Sequence, residues 1–136
     1  MRDIILYTHI ILGVLLIVLP IIILLELKIK SSMIKSIALL TAGISWLHLF
    51  ASGILYVIFY SATKTLIKAG AWPWAHSILM ETKEHWGLLL PIIATVAAGL
   101  VLTGKTKESK KWWVLVTILT VLIGIMGKVI TMGALA

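Results

Sequence analysis

Apolar residues in this chain gather in four long blocks, and the charged residues fall mostly between them. The blocks run from Ile4 to Leu25, Ser36 to Thr63, Trp86 to Gly104 and Trp112 to Gly127. A bilayer core is about 30 Å thick, and a helix rising about 1.5 Å per residue crosses it in roughly 20 residues. Each block is long enough to span, or nearly so. The pattern predicts an all-α integral membrane protein: a four-transmembrane-helix antiparallel bundle, one domain over residues 1–136. Short connections after the first and third blocks predict two helical hairpins. The segment Lys64 to Glu84 reads as a long loop, and within it Pro73 to about Met80 reads as a short interfacial helix, with Pro73 in its first turn. Trp72 and Trp74 suit the headgroup layer on that side, and Trp112 and Trp113 make the matching belt on the other.

Composition narrows the class. Apolar residues make up 61% of the chain, so its +7 formal charge describes loops of a membrane protein and not a nucleic-acid surface. The loop lysines act as topology signals and as contacts to anionic lipid. Seven of them, Lys28, Lys30, Lys35, Lys105, Lys107, Lys110 and Lys111, lie on one side of a four-span chain. The opposite side has Arg2, Lys64, Lys68 and Lys83. The positive-inside rule then places both termini and the long loop outside a plasma membrane. The first block carries no cleavage-site pattern and reads as a retained span that also serves as signal anchor, with no soluble domain expected. The chain has no cysteine, which excludes disulfides, iron–sulfur clusters and covalent or thiolate-ligated haem. It also has no asparagine or glutamine and 22 isoleucines, a composition that fits a hyperthermophile.

Candidate chemistry comes from the histidines. His9 lies in the first block, His48 in the second, and His85 just before the third, with His76 in the long loop. Chain direction alone puts all four in the half of the membrane nearer the termini. Ionisable side chains inside a span are costly and mark function. Small residues surround them: Gly13 is one turn from His9, and Ala51, Ser52 and Gly53 follow His48. Such residues allow close helix packing and also make room for a flat macrocycle. Imidazoles on facing helices suggest axial ligation of a haem, with His48 paired to His9 or His85. The bland readings are a hydrogen bond to a neighbouring helix for His9, capping or pairing with Glu81 for His85, and simple exposure for His76. Lys128, near the end of the fourth block, either snorkels to the headgroups or meets Glu81, Glu84 or a haem propionate, as Arg2 would. A zinc or copper site from His76, Glu81 and His85 has loose spacing. No paired-carboxylate, nucleophile or phosphate-loop motif is present.

His9 with Gly13, His48 with Gly53, and the run His85-Trp86-Gly87 give the chain a pattern that resembles small four-span b-type cytochromes, the cytochrome b561-like and CopD-like bundles. Half-sized haem A synthase-like bundles look similar. The resemblance implies non-covalent haem b on two of His9, His48 and His85, electron transfer in a respiratory complex, and quinone as a further cofactor. Tyr7, Trp46, Phe50, Tyr56 and Trp86 would flank the macrocycle. The other class is a cofactor-free accessory subunit of a membrane complex, and a third is a small-solute or metal permease. Either of the first two implies lipid and other membrane or redox subunits as partners, in a homo- or hetero-oligomer, and an electron-transfer subunit more than a stand-alone enzyme.

Overall fold

The computed structural model describes residues 1–29 and 32–136. Among these it is helical almost throughout. Helix α1 covers Arg2–Ile29, α2 Ile34–Ile54, α3 Tyr60–Ala69, α4 Glu81–Leu102 and α5 Thr106–Gly133. Two π-helical segments, Leu55–Phe59 and Ala75–Met80, are inserted where α2 passes into α3 and where the chain enters α4. Four continuous helices, Arg2–Lys28, Ile34–Ala69, Ala75–Leu102 and Thr106–Gly133, are long and apolar enough to cross a membrane.

Around the bundle the order is α1, α2, α4, α5, each packing on two neighbours. Helices α2 and α4 pack together, and both bury small residues: Ala38, Ala42 and Ser45 on α2, and Ala94, Ala97 and Ala98 on α4. Small side chains let helix backbones approach closely where the lipid supplies no hydrophobic drive. Leu16 and Ile23 from α1 and Trp113, Val116 and Ile123 from α5 fill the remaining core. Pro20 and Pro91 sit inside α1 and α4 and are also buried. The exterior is apolar too: Ile11, Val14, Phe50, Val57, Ile118 and Ile125 are all exposed. Apolar side chains on the exterior as well as in the core suit a bundle surrounded by lipid.

The α4–α5 connection is tight because Gly104 takes a positive φ of 81°. Its N–H bonds the Val101 carbonyl at 3.1 Å and the Lys105 N–H bonds Leu100 at 2.8 Å, the paired bonds of a Schellman ending.

The expected long loop is short. The second helix runs on to Ala69, so that Lys64 and Lys68 belong to α3. Its 36 residues reach about 54 Å, well beyond the bilayer core. The expected separate interfacial helix is also absent among the described residues: Ala75–Met80 is π-helical and runs without a break into α4. A charged residue does not end a helix whose backbone bonds continue to be made, so the charge pattern misplaced both boundaries. Lys83 is accordingly a residue of α4 and not of a loop. On the side of the termini a second small core caps the bundle, formed by Tyr60, Ile67, Ala75, Met80 and Ile130 with Tyr56 and Trp72 beside them.

Candidate functional site

His9 from α1 and His48 from α2 meet face to face. Their ring centroids are 4.3 Å apart and the planes differ by 22°. His48 is buried, and its Nε2 lies over Gly13, where an added Cβ would come within 3.5 Å. Ser52, one turn beyond His48, fixes the pair. Its hydroxyl donates to the His48 carbonyl at 2.8 Å, and its oxygen lies 3.1 Å from His9 Nδ1. A serine hydroxyl has one proton to give. With that proton on the carbonyl, His9 Nδ1–H is the donor to Ser52, and the neutral ring keeps a bare Nε2.

Lys83 reaches the same place from α4. It is close enough to act electrostatically on both His9 and His48. Its ammonium passes α5 at Gly127, where an added Cβ would lie 3.6 Å from both Cε and Nζ. Lysine in a span normally extends toward water. This one lies against α5 at Gly127 and is only partly exposed.

The next layer toward the termini continues the polar character. Glu84, one residue after Lys83 and acting on it electrostatically, stands against the Tyr56 hydroxyl. Tyr56 stacks on Tyr60 at 5.2 Å, and the Tyr60 hydroxyl is 3.0 Å from His76 Nδ1. Both members of that last pair are buried. The two π-helical segments supply or border three of these residues: Tyr56 is in the first, Tyr60 directly follows it, and His76 is in the second. A π turn adds a residue without breaking the helix, which re-aims the side chains that follow; such turns frequently occur at functional sites.

The sequence placed His9 and His48 in the half of the bundle nearer the termini, and the structure brings them together. It does not bring His85 to them. His85 is exposed, and its Nδ1 donates to the Glu81 backbone carbonyl at 2.6 Å, one turn back on its own helix. That bond involves the carbonyl and not the Glu81 carboxylate. His76, expected to be exposed, is 5% exposed and hydrogen-bonded. Gly53 faces outward with nothing within 4 Å of an added Cβ, so it opens no space inside the bundle. Lys128 is exposed on α5. Tyr7, Trp46 and Phe50 are also exposed on the outer surface, Trp46 bonding Thr95 at 3.1 Å. Tyr60 carries no signal in the sequence; Lys83 reads there only as a topology lysine, Glu84 only as a partner for Lys128, and Ser52 only as a small residue beside His48. The signal available for Lys83 and Glu84 was their place directly before an apolar block, two residues and one residue from His85.

A haem with two imidazole ligands needs them on opposite faces of the macrocycle, each aiming a nitrogen at the iron. His9 and His48 lie ring on ring, with no slab of space between them. His85 is not there to serve as the other ligand. The residues as placed therefore do not form a bis-histidine haem site. No group of three or more histidine, aspartate, glutamate or cysteine side chains that could hold a metal ion occurs among the described residues. No protein family, curated protein or solved structure matches this chain.

Proposed function

We propose that the protein is a proton-handling subunit of a membrane complex. It exchanges protons between the surface on the side of its termini and a site within the bundle. The observation that carries this reading is one succession of titratable groups: His48 and His9, then Lys83, Glu84, Tyr56, Tyr60 and His76. Chains of acidic and basic side chains inside membrane proteins mark proton relays. Gaps wider than a hydrogen bond are bridged by water in such chains.

The other half of the bundle has a different character. Its buried hydroxyls, Thr41, Ser45, Ser109 and Thr120, each bond a carbonyl of their own helix, at 2.7, 2.6, 2.8 and 2.8 Å. They add no outward-reaching donors to the core. A relay open to one side supports service to a redox or transport reaction in a partner subunit, rather than a channel. This agrees with the accessory-subunit expectation and gives that subunit a task.

Water-to-imidazole magnetisation transfer in lipid bilayers tests the reading. His9 and His48 ring protons should exchange with bulk water in milliseconds, and Tyr60→Phe with His76→Phe should slow that exchange at least tenfold. Rings that never exchange in the unaltered protein would refute it.

A second reading, haem b and electron transfer, is favoured by one observation. Ser52 Oγ lies 3.1 Å from His9 Nδ1 while its hydroxyl is directed to the His48 carbonyl; with the ring proton on Nδ1, Nε2 is left bare, the outer-shell arrangement of metal-ligating imidazoles. It requires the stacked rings to part. Purified protein with sharp Soret and α bands that vanish in His48→Ala would establish it; a colourless folded preparation from a haem-replete host would end it.

A further inference from the structure

At the end of the bundle opposite the termini, α5 begins with Thr106 and brings four lysines into the headgroup layer. Lys105, Lys107, Lys110 and Lys111 are all exposed, with Glu108 the one acid among them. Directly below, a groove of about 440 Å³ is lined by Lys111, Trp112, Val114, Leu115 and Ile118. The Lys111 ammonium lies 5.9 Å from the centre of the Trp112 ring, which holds it at the head of the groove. Lys111, Leu115, Ile118, Leu122 and Ile125 succeed one another at helical spacings of four and three, so they share one face. That face is exposed along its length. From Lys111 to Ile125 it descends about 21 Å, the reach of one long acyl chain from headgroup into bilayer.

We propose that this face binds one anionic phospholipid. Its phosphate sits among Lys107, Lys110 and Lys111, and one acyl chain lies in the groove over Leu115 and Ile118. Charge complementarity selects the headgroup, and the apolar stripe below the charges selects a lipid over a free anion. Lys107, Lys110 and Lys111 belong to the first turns of α5, the same helix that lines the groove below them. A Lys-rich segment beside a span attracts anionic lipid generally; the groove is what makes one molecule resident. The site is separate from the histidine cluster, which lies toward the other end of the bundle.

Native mass spectrometry of the full chain in detergent tests this, with phosphatidylglycerol and phosphatidylcholine of the same acyl chains as probes. One phosphatidylglycerol should be retained in preference to phosphatidylcholine. Lys111→Glu should weaken that retention about tenfold or more, since it replaces an attraction by a repulsion at the surface. Ile118→Trp should weaken it comparably by filling the groove while leaving every charge in place. Inorganic phosphate at millimolar concentration should not displace the lipid. Equal retention of the two lipids would overturn the proposal. So would unchanged retention in either variant, or displacement by phosphate alone.

Discussion

Lys83 lies against α5 at Gly127: a Cβ at Gly127 would lie 3.6 Å from both its Cε and its Nζ. That distance is ordinary van der Waals contact, so Gly127→Ala should be accommodated. Alanine is also the better helix former by about 1 kcal/mol. The melting midpoint of Gly127→Ala in detergent should therefore equal or exceed that of the unaltered protein. Gly127→Leu, by contrast, fills the passage and should turn Lys83 out of the cluster. The readout is the ring ¹⁵N shifts of His9 and His48, which should move with leucine and stay with alanine.

Gly133 presents the opposite case. An added Cβ there would approach the Ala75 Cβ to 3.0 Å and the Trp72 Cβ to 3.6 Å. The Ala75 methyl has no rotamer to change, so its backbone must retreat, and that backbone belongs to the second π-helical segment. Overpacking of this kind costs about 1–3 kcal/mol. Gly133→Ala should lower the melting midpoint, whereas Gly124→Ala, with nothing within 4 Å, should not. Equal midpoints for the two would mean that the cap does not hold α5 as described.

The four spans were legible because a helix crossing lipid must be apolar over a length the bilayer dictates. That His9 and His48 share the half nearer the termini was legible for a similar reason, since the rise per residue and the reversal of direction in a hairpin bound depth. Direction around the helix axis was not. A helix apolar on all sides carries little information about which face turns inward, so Phe50 and Gly53 were placed beside a macrocycle and are found facing outward. Lys83 was hidden by its charge, which read as a loop signal. His76 was hidden by its partner: a histidine between tryptophans and a charged run looks exposed until Tyr60, 16 residues earlier, is known to meet it. The π-helical segments that bring those two together leave no pattern in hydrophobicity.

Ser52→Ala isolates the control of His9. The hydroxyl is what accepts the Nδ1–H of the His9 ring at 3.1 Å, and a methyl group cannot. Loss of an unmixed tautomer should follow, visible as convergence of the Nδ1 and Nε2 ¹⁵N shifts of His9. The His48 carbonyl loses a side-chain donor in the same variant but keeps its place in the helix, so the change in stability should be small, about 0.5–1.5 kcal/mol. An unaltered His9 tautomer would mean that something other than Ser52 fixes the ring.

Tyr60 and His76 provide a double-mutant test of the cap. Their 3.0 Å bond joins two side chains that are 9% and 5% exposed. Tyr60→Phe keeps the ring and its stacking on Tyr56 and removes only the hydroxyl, leaving the His76 Nδ1 without its partner. A buried polar group left unsatisfied costs about 1–3 kcal/mol. His76→Phe should cost a similar amount by stranding the Tyr60 hydroxyl. With both replaced, neither polar atom remains to be satisfied, and the loss should fall well short of the sum of the singles. Chemical denaturation in detergent of the four proteins gives the coupling directly. A coupling of about 1 kcal/mol or more is expected from one buried bond. Additive losses would mean that His76 finds water when Tyr60 is removed, which would place the outer end of the relay one residue nearer the bundle than proposed.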